Sequence, residues 1–157
     1  MECRDSMKSA LFLFLTLLLF GQTSSADSDS NRRLVLVTCA ETEIASLTSS
    51  EVHKLFLGLP LEKGGLTLEA AINHSDPFLY EIFLQKIANM SSMAYERHLL
   101  SNVIQLGGQR PRVFNDARSL INAVKQNPGI VTVLWDSDIK GRSDLTVIGE
   151  VWRGPVD

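Results

Sequence analysis

Two short runs constrain this chain more than anything else in it. Residues 34–38 read LVLVT and residues 130–135 read IVTVLW. Both are continuously apolar and rich in β-branched side chains. An alternating strand would cover one face only, whereas an unbroken run belongs to a strand buried on both faces, as in a parallel sheet. A sheet covered twice needs helices on each side. The segments between the runs supply them, and residues 66–72 (LTLEAAI) and 145–151 (LTVIGEV) read as two more strands.

The helices announce themselves by their ends. Thr48-Ser49-Ser50-Glu51 matches a capping box, with Val52, Leu55 and Phe56 at helical spacing and Gly58 placed to close the helix. Pro60 prevents continuation. Ser75 or Asp76 can cap a second helix with Pro77 at its first position, and Phe78, Leu79, Ile82, Phe83 and Ile87 form its apolar stripe. Ser91 or Ser92 opens a third, with Leu99, Leu100, Val103 and Ile104 expected inward. Asn115 or Asp116 caps a fourth, carrying Ala117, Leu120, Ile121 and Val124, which Asn127-Pro128-Gly129 ends. The order is β-α-β-α-α-α-β-β. It predicts an α/β fold with a mainly parallel sheet flanked by helices.

The first residues read differently. Arg4 and Lys8 precede an apolar run from Ala10 to Phe20, and Ser24 and Ala26 place small residues before a cut. That is the pattern of a secretory signal peptide, residues 1–26, cleaved near Ala26, and the run is too short for a bilayer span. Residues 27–33 are polar and read as a frayed terminus, leaving residues 34–157 as one domain. The expected location is periplasmic or secreted. Cys3 falls in the signal, so Cys39 is the single mature cysteine and no intrachain disulfide scaffold is possible. It reads as a small buried side chain at a strand end, with a reactive thiol as the alternative.

Composition narrows the chemistry. The chain carries 15 Lys+Arg against 18 Asp+Glu, a net charge of −3, without a basic cluster, which argues against nucleic-acid binding. His53, His74 and His98 are scattered without metal-ligand spacing. No G-x-S-x-G elbow, G-x-G-x-x-G or phosphate loop occurs, so neither an enzyme nor a cofactor is expected. Asn73-His74-Ser75 and Asn89-Met90-Ser91 fit the glycosylation pattern, which counts only in a eukaryotic secretory route. What is left is the rim of the sheet. In open α/β sheets ligands sit beyond the carboxyl ends of the strands, beside helix N-termini that favour anions. Thr38, Ser75 and Asp136 are expected on that one rim. Thr38 and Ser75 would supply hydroxyls, and Arg110 and Arg112 a bidentate cation. The alternative is a solvated loop edge whose Ser and Asp are helix caps.

The ordered segments also carry a resemblance. Residues 43–58, EIASLTSSEVHKLFLG, resemble the I-x-x-L-S-x-x-E-V-x-x-I-F-L-G-K stretch of phosphate-type ABC-transporter substrate-binding proteins. Phe78 to Phe83 resembles the helix after that family's ligand loop. Gly108-Gln109-Arg110-Pro111, with Leu120 to Val124 and Asn127-Pro128-Gly129-Ile130, resembles its G-x-x-R-P … P-G-A-I-G-Y ending. The resemblance implies a single lobe of a type 2 periplasmic-binding-protein-like fold that binds phosphate or a similar oxyanion, serving an ABC permease or an envelope sensor. Where that family carries an Arg and then Ser-Gly-Thr, this chain has Ile72-Asn73-His74-Ser75-Asp76-Pro77. A lobe that has lost its ligand and serves as an interaction module is the alternative.

Overall fold

The computed structural model describes residues 31–155. The signal peptide expected over residues 1–26 lies outside the described residues, as do residues 27–30 of the expected frayed segment. The elements are β1 (Asn31–Cys39), α1 (Ser49–Phe56), β2 (Leu61–Lys63), β3 (Leu66–Asn73), α2 (Pro77–Phe83) running into a π-helical turn (Leu84–Ala88), α3 (Ser92–Leu106), β4 (Arg112–Phe114), α4 (Ala117–Gln126), β5 (Ile130–Trp135), a one-turn α5 (Asp136–Ile139) and β6 (Leu145–Pro155).

The sheet runs β2-β3-β5-β1-β6, with β4 also paired to β3. Both apolar runs occupy its centre, and their side chains divide by alternation. Leu34 and Leu36 of β1 and Val131, Val133 and Trp135 of β5 face a core shared with α1, α2, the π turn and α3. Val35, Val37 and Cys39, with Ile130 and Leu134, face a second core closed by Leu120, Ile121 and Val124 of α4. Helices therefore cover both faces, as the continuous apolar runs require.

The caps fall where the sequence places them. Thr48 and Glu51 complete the capping box. Asp76 caps α2 with Pro77 at its first position, Ser91 caps α3, and Asp116 caps α4 through the Ser119 amide. The Glu51 carboxylate accepts from the Thr48 amide, the Lys63 ammonium and the Thr48 hydroxyl, which hold its pKa at about 2.

Four expectations are corrected. The sheet is mixed, not mainly parallel: β3 runs parallel to β4 and β5, but β1 is antiparallel to both β5 and β6. Burial on both faces is equally met by a central antiparallel strand, so the apolar run carries no direction. Next, Asn31 to Arg33 are strand rather than frayed terminus, because the long β6 gives them partners at Pro155, Gly154 and Arg153. On α3 the inward stripe is Tyr95, Leu99 and Asn102, while Leu100, Val103 and Ile104 are exposed. Polar anchors choose that face: the Tyr95 hydroxyl donates to Phe56 O at 2.5 Å and the Asn102 amide to Leu57 O at 2.9 Å. Finally, Phe78 leaves the α2 stripe and stands 46% exposed.

Candidate functional site

Because β1 is reversed, the rim expected from the sequence is divided. Parallel strands β3 and β5 end together, at Asn73 and Trp135. Thr38 lies at the opposite edge, where β5 begins. It is wholly buried, and its hydroxyl donates to Ile130 O at 3.0 Å and Pro128 O at 3.3 Å. That hydroxyl ties β1 to the start of β5 and faces no open surface.

Ser75 and Asp136 do lie at the carboxyl edge. Asn73, 1% exposed, donates its side-chain amide to Val133 O and accepts from both the Ser75 amide (3.0 Å) and the Ser75 hydroxyl (2.6 Å). Its amide is therefore inside the fold, which closes the first glycosylation pattern to modification. Asn89 of the second pattern is exposed, with a left-handed φ of 56°.

Asp76 dominates this edge. One carboxylate oxygen accepts from the amides of Phe78 (2.9 Å) and Leu79 (3.4 Å). The other accepts from the Trp135 indole N–H at 2.8 Å and lies 3.6 Å from the Arg32 guanidinium. The place where an external anion would meet the α2 amides is thus taken by the chain's own carboxylate. Partial burial acts to raise the Asp76 pKa, but the Trp135, Phe78 and Leu79 donors and the charge of Arg32 outweigh it, and the net shift is downward. Beside it, burial raises the Asp138 pKa, against the pull of Arg32.

A group with a lowered folded-state pKa stabilises the fold above its unfolded value and loses that contribution as pH falls through the folded value. Asp76 and Glu51 both behave so. Stability is expected to decline below about pH 4, and Asp76→Asn should make that decline shallower. Thermal melts between pH 2 and 7 check it; identical pH profiles for the two proteins would refute it.

Arg32 and Arg33, assigned to the frayed terminus from sequence, are the cations of this edge. Arg32 lies over the Trp135 ring at 4.0 Å, and Arg33 reaches Glu150 at 3.1 Å and Asp136 at 3.8 Å. With Asn31, Trp135, Asp136, Ser137 and Lys140 they line a cleft of about 130 Å³. Phe78 also stacks on Trp135 at 6.0 Å, and Trp152 meets Phe78 edge-on at 5.8 Å. The signal that could have found this site is an Arg-Arg pair leading directly into a buried strand.

Arg110 and Arg112 lie elsewhere. Arg110 pairs with Glu96 of α3, and Arg112 lies 3.6 Å from Glu69 of β3. Both border a cleft of about 260 Å³ between the ends of β2 and β4. Of the four residues expected to bind a ligand, these two come together, Ser75 is at the carboxyl edge and Thr38 is inside.

A mixed sheet covered by helices on both faces is a fold that this chain shares with solved structures. The protein assigned as a phosphate ABC transporter substrate-binding protein from Clostridium perfringens, solved with phosphate bound, superposes with a TM-score of 0.58 at 9% identity, over 75% of this chain and 44% of that one. An ABC-type phosphate transport receptor from Vibrio cholerae gives 0.55 at 10% identity, over 75% and 46%. PstS from Borrelia burgdorferi gives 0.54 at 11%, over 76% and 47%. The chain thus spans less than half the length of these structures, and its resemblance to them holds at the level of fold. No protein-family description matches the sequence, and no curated protein matches it. Among the described residues, no helix is long and apolar enough to cross a membrane.

Proposed function

We propose that the chain is an exported, non-catalytic solute-binding-type lobe that takes a small oxyanion, phosphate foremost, outside the inner membrane. The observation that carries this reading is the meeting of three cations, Arg32, Arg33 and Lys140, with one carboxylate, Asp136, around a cleft of about 130 Å³ at the carboxyl edge. Arg32 and Arg33 are each held by carboxylates, whereas Lys140 has no ion-pair partner among the described residues. Ser137 adds a hydroxyl, and Ser75 lies next to Asp76 at the same edge. The likeness to phosphate-binding folds supports the ligand class and, with it, an ABC permease or envelope sensor as partner.

Such an open, partly neutralised cleft binds weakly. Phosphate is expected to bind with a Kd on the order of 1 mM, about 4 kcal/mol. Lys140→Ala should weaken it about fivefold, roughly 1 kcal/mol, the scale of an exposed ion pair. Calorimetry with phosphate, sulfate and acetate checks both; no heat from any of them at millimolar concentrations would count against solute binding.

A second reading rests on the aromatic edge. Phe78 is exposed on top of Trp135 and beside Trp152. An exposed ring backed by two tryptophans beside a charged pair suits docking on an envelope protein. A monomer by light scattering that captures no specific partner from envelope extracts would exclude this version.

A further inference from the structure

One stretch of β3 is uncovered on its outer edge. Pairing with β2 stops at Leu61↔Leu68, and pairing with β4 begins at Ala71↔Arg112. Glu69 and Ala70, between them, have β5 on one side only. The Glu69 amide donates toward β5, to Gly129 O at 2.9 Å. Alternation along a strand turns the Ala70 amide the other way, into the gap.

The gap is the cleft of about 260 Å³. Its floor is apolar, formed by Leu55, Leu59, Leu68 and Pro111. Its walls are tied together: the Gln109 amide donates to Gly58 O at 3.0 Å, and Gly108 to Asn102 O at 3.3 Å. Its mouth carries two guanidinium groups, that of Arg110, paired with Glu96 of α3, and that of Arg112, 3.6 Å from Glu69.

Each guanidinium has five N–H donors and meets one carboxylate, so N–H groups remain at the mouth and the fitting group is an acceptor with negative charge. A planar guanidinium matches a planar carboxylate. The apolar floor is a poor environment for a doubly charged phosphate but suits a hydrocarbon body. The volume lies just under the usual range for small-molecule sites, which restricts that body to a few carbons or one ring. We propose that this cleft is a second binding site, for a small monocarboxylate with a branched or aromatic apolar body. The carboxylate meets Arg112 and the Ala70 amide while the body rests on Leu55, Leu59 and Leu68. A free acid and an apolar amino acid share this chemistry, and in the amino acid the ammonium would face Glu69.

The test is a ¹H–¹⁵N NMR titration of the protein purified after export, with 4-methylpentanoate, benzoate, leucine and inorganic phosphate. The amides of Ala70, Gly108 and Arg112 are expected to shift with at least one carboxylate below about 10 mM, and not with phosphate. A response to leucine alone identifies the amino acid as the source, and a response to 4-methylpentanoate or benzoate identifies the free acid. Arg112→Gln should weaken the response about fivefold, and Leu59→Trp, which fills the cleft, should abolish it. No shift at those amides, the same shifts with phosphate, or an unchanged response in Arg112→Gln would each overturn the site. If Leu59→Trp fails to fold, Arg112→Gln decides alone.

Discussion

Replacing Phe83 with alanine is expected to lower the unfolding free energy by about 4 kcal/mol, the middle of the range for truncating a buried aromatic. Phe83 is 1% exposed and joins three helices. Its ring meets Phe56 of α1 edge-on at 5.2 Å and Tyr95 of α3 at 5.5 Å, and stacks with Tyr80 at 5.8 Å. Such ring pairs add to the area they bury. The cavity would open at the junction of α1, α2 and α3, where the Tyr95 hydroxyl is already committed to Phe56 O and leaves that junction little freedom to collapse. Phe83→Leu, closer in volume, should cost about 1.5 kcal/mol. Urea unfolding measures both. A loss below about 1 kcal/mol for the alanine variant would mean that these helices are not seated on this ring.

Gly58→Ala is expected to cost about 3 kcal/mol, for two separable reasons. Gly58 has φ +76°, a conformation that charges an L side chain about 1–2 kcal/mol. A Cβ there would also stand 2.5 Å from Gln109 O, a backbone atom that can move only if the loop moves. Gly65→Ala is the control. Its φ is +74°, yet nothing lies within 4 Å of the added carbon, so it should cost about 1 kcal/mol. The difference between the two variants isolates the contact between the end of α1 and the loop before β4. Equal losses would mean that the loop yields freely.

These expectations rest on a fold whose parts were unequally visible in the sequence. The central strands and the caps of α1, α2 and α4 were legible because each has a local physical cause: unbroken apolar runs, or a side-chain oxygen poised over free amides. Strand direction has no such cause. Val35 and Val37 would be equally buried with β1 pointing either way, and that one ambiguity sent Thr38 to the wrong edge and hid Arg32 and Arg33. Strands β2 and β4 have three residues each, too few to show a period. The inner face of α3 was chosen by Tyr95 and Asn102, whose bonds to Phe56 and Leu57 depend on a tertiary position that no spacing rule encodes. Arg110 and Arg112 were expected together, but the apolar cleft they border depends on where pairing with β2 ends along β3, which is again a tertiary fact.

The placement of β1 has a consequence for how such a chain is made. Its partners are β5 and β6: Leu34 pairs with Trp135, and Asn31 with Pro155. The middle of the sheet cannot close until β5, which pairs Trp135 with Leu34, has been made. Loop closure over that distance is slow, and contacts so remote in sequence delay folding. The apolar run of β1 therefore waits without a partner on either edge while α1 to α4 are made, and in that interval it is open to pairing with a strand of another chain.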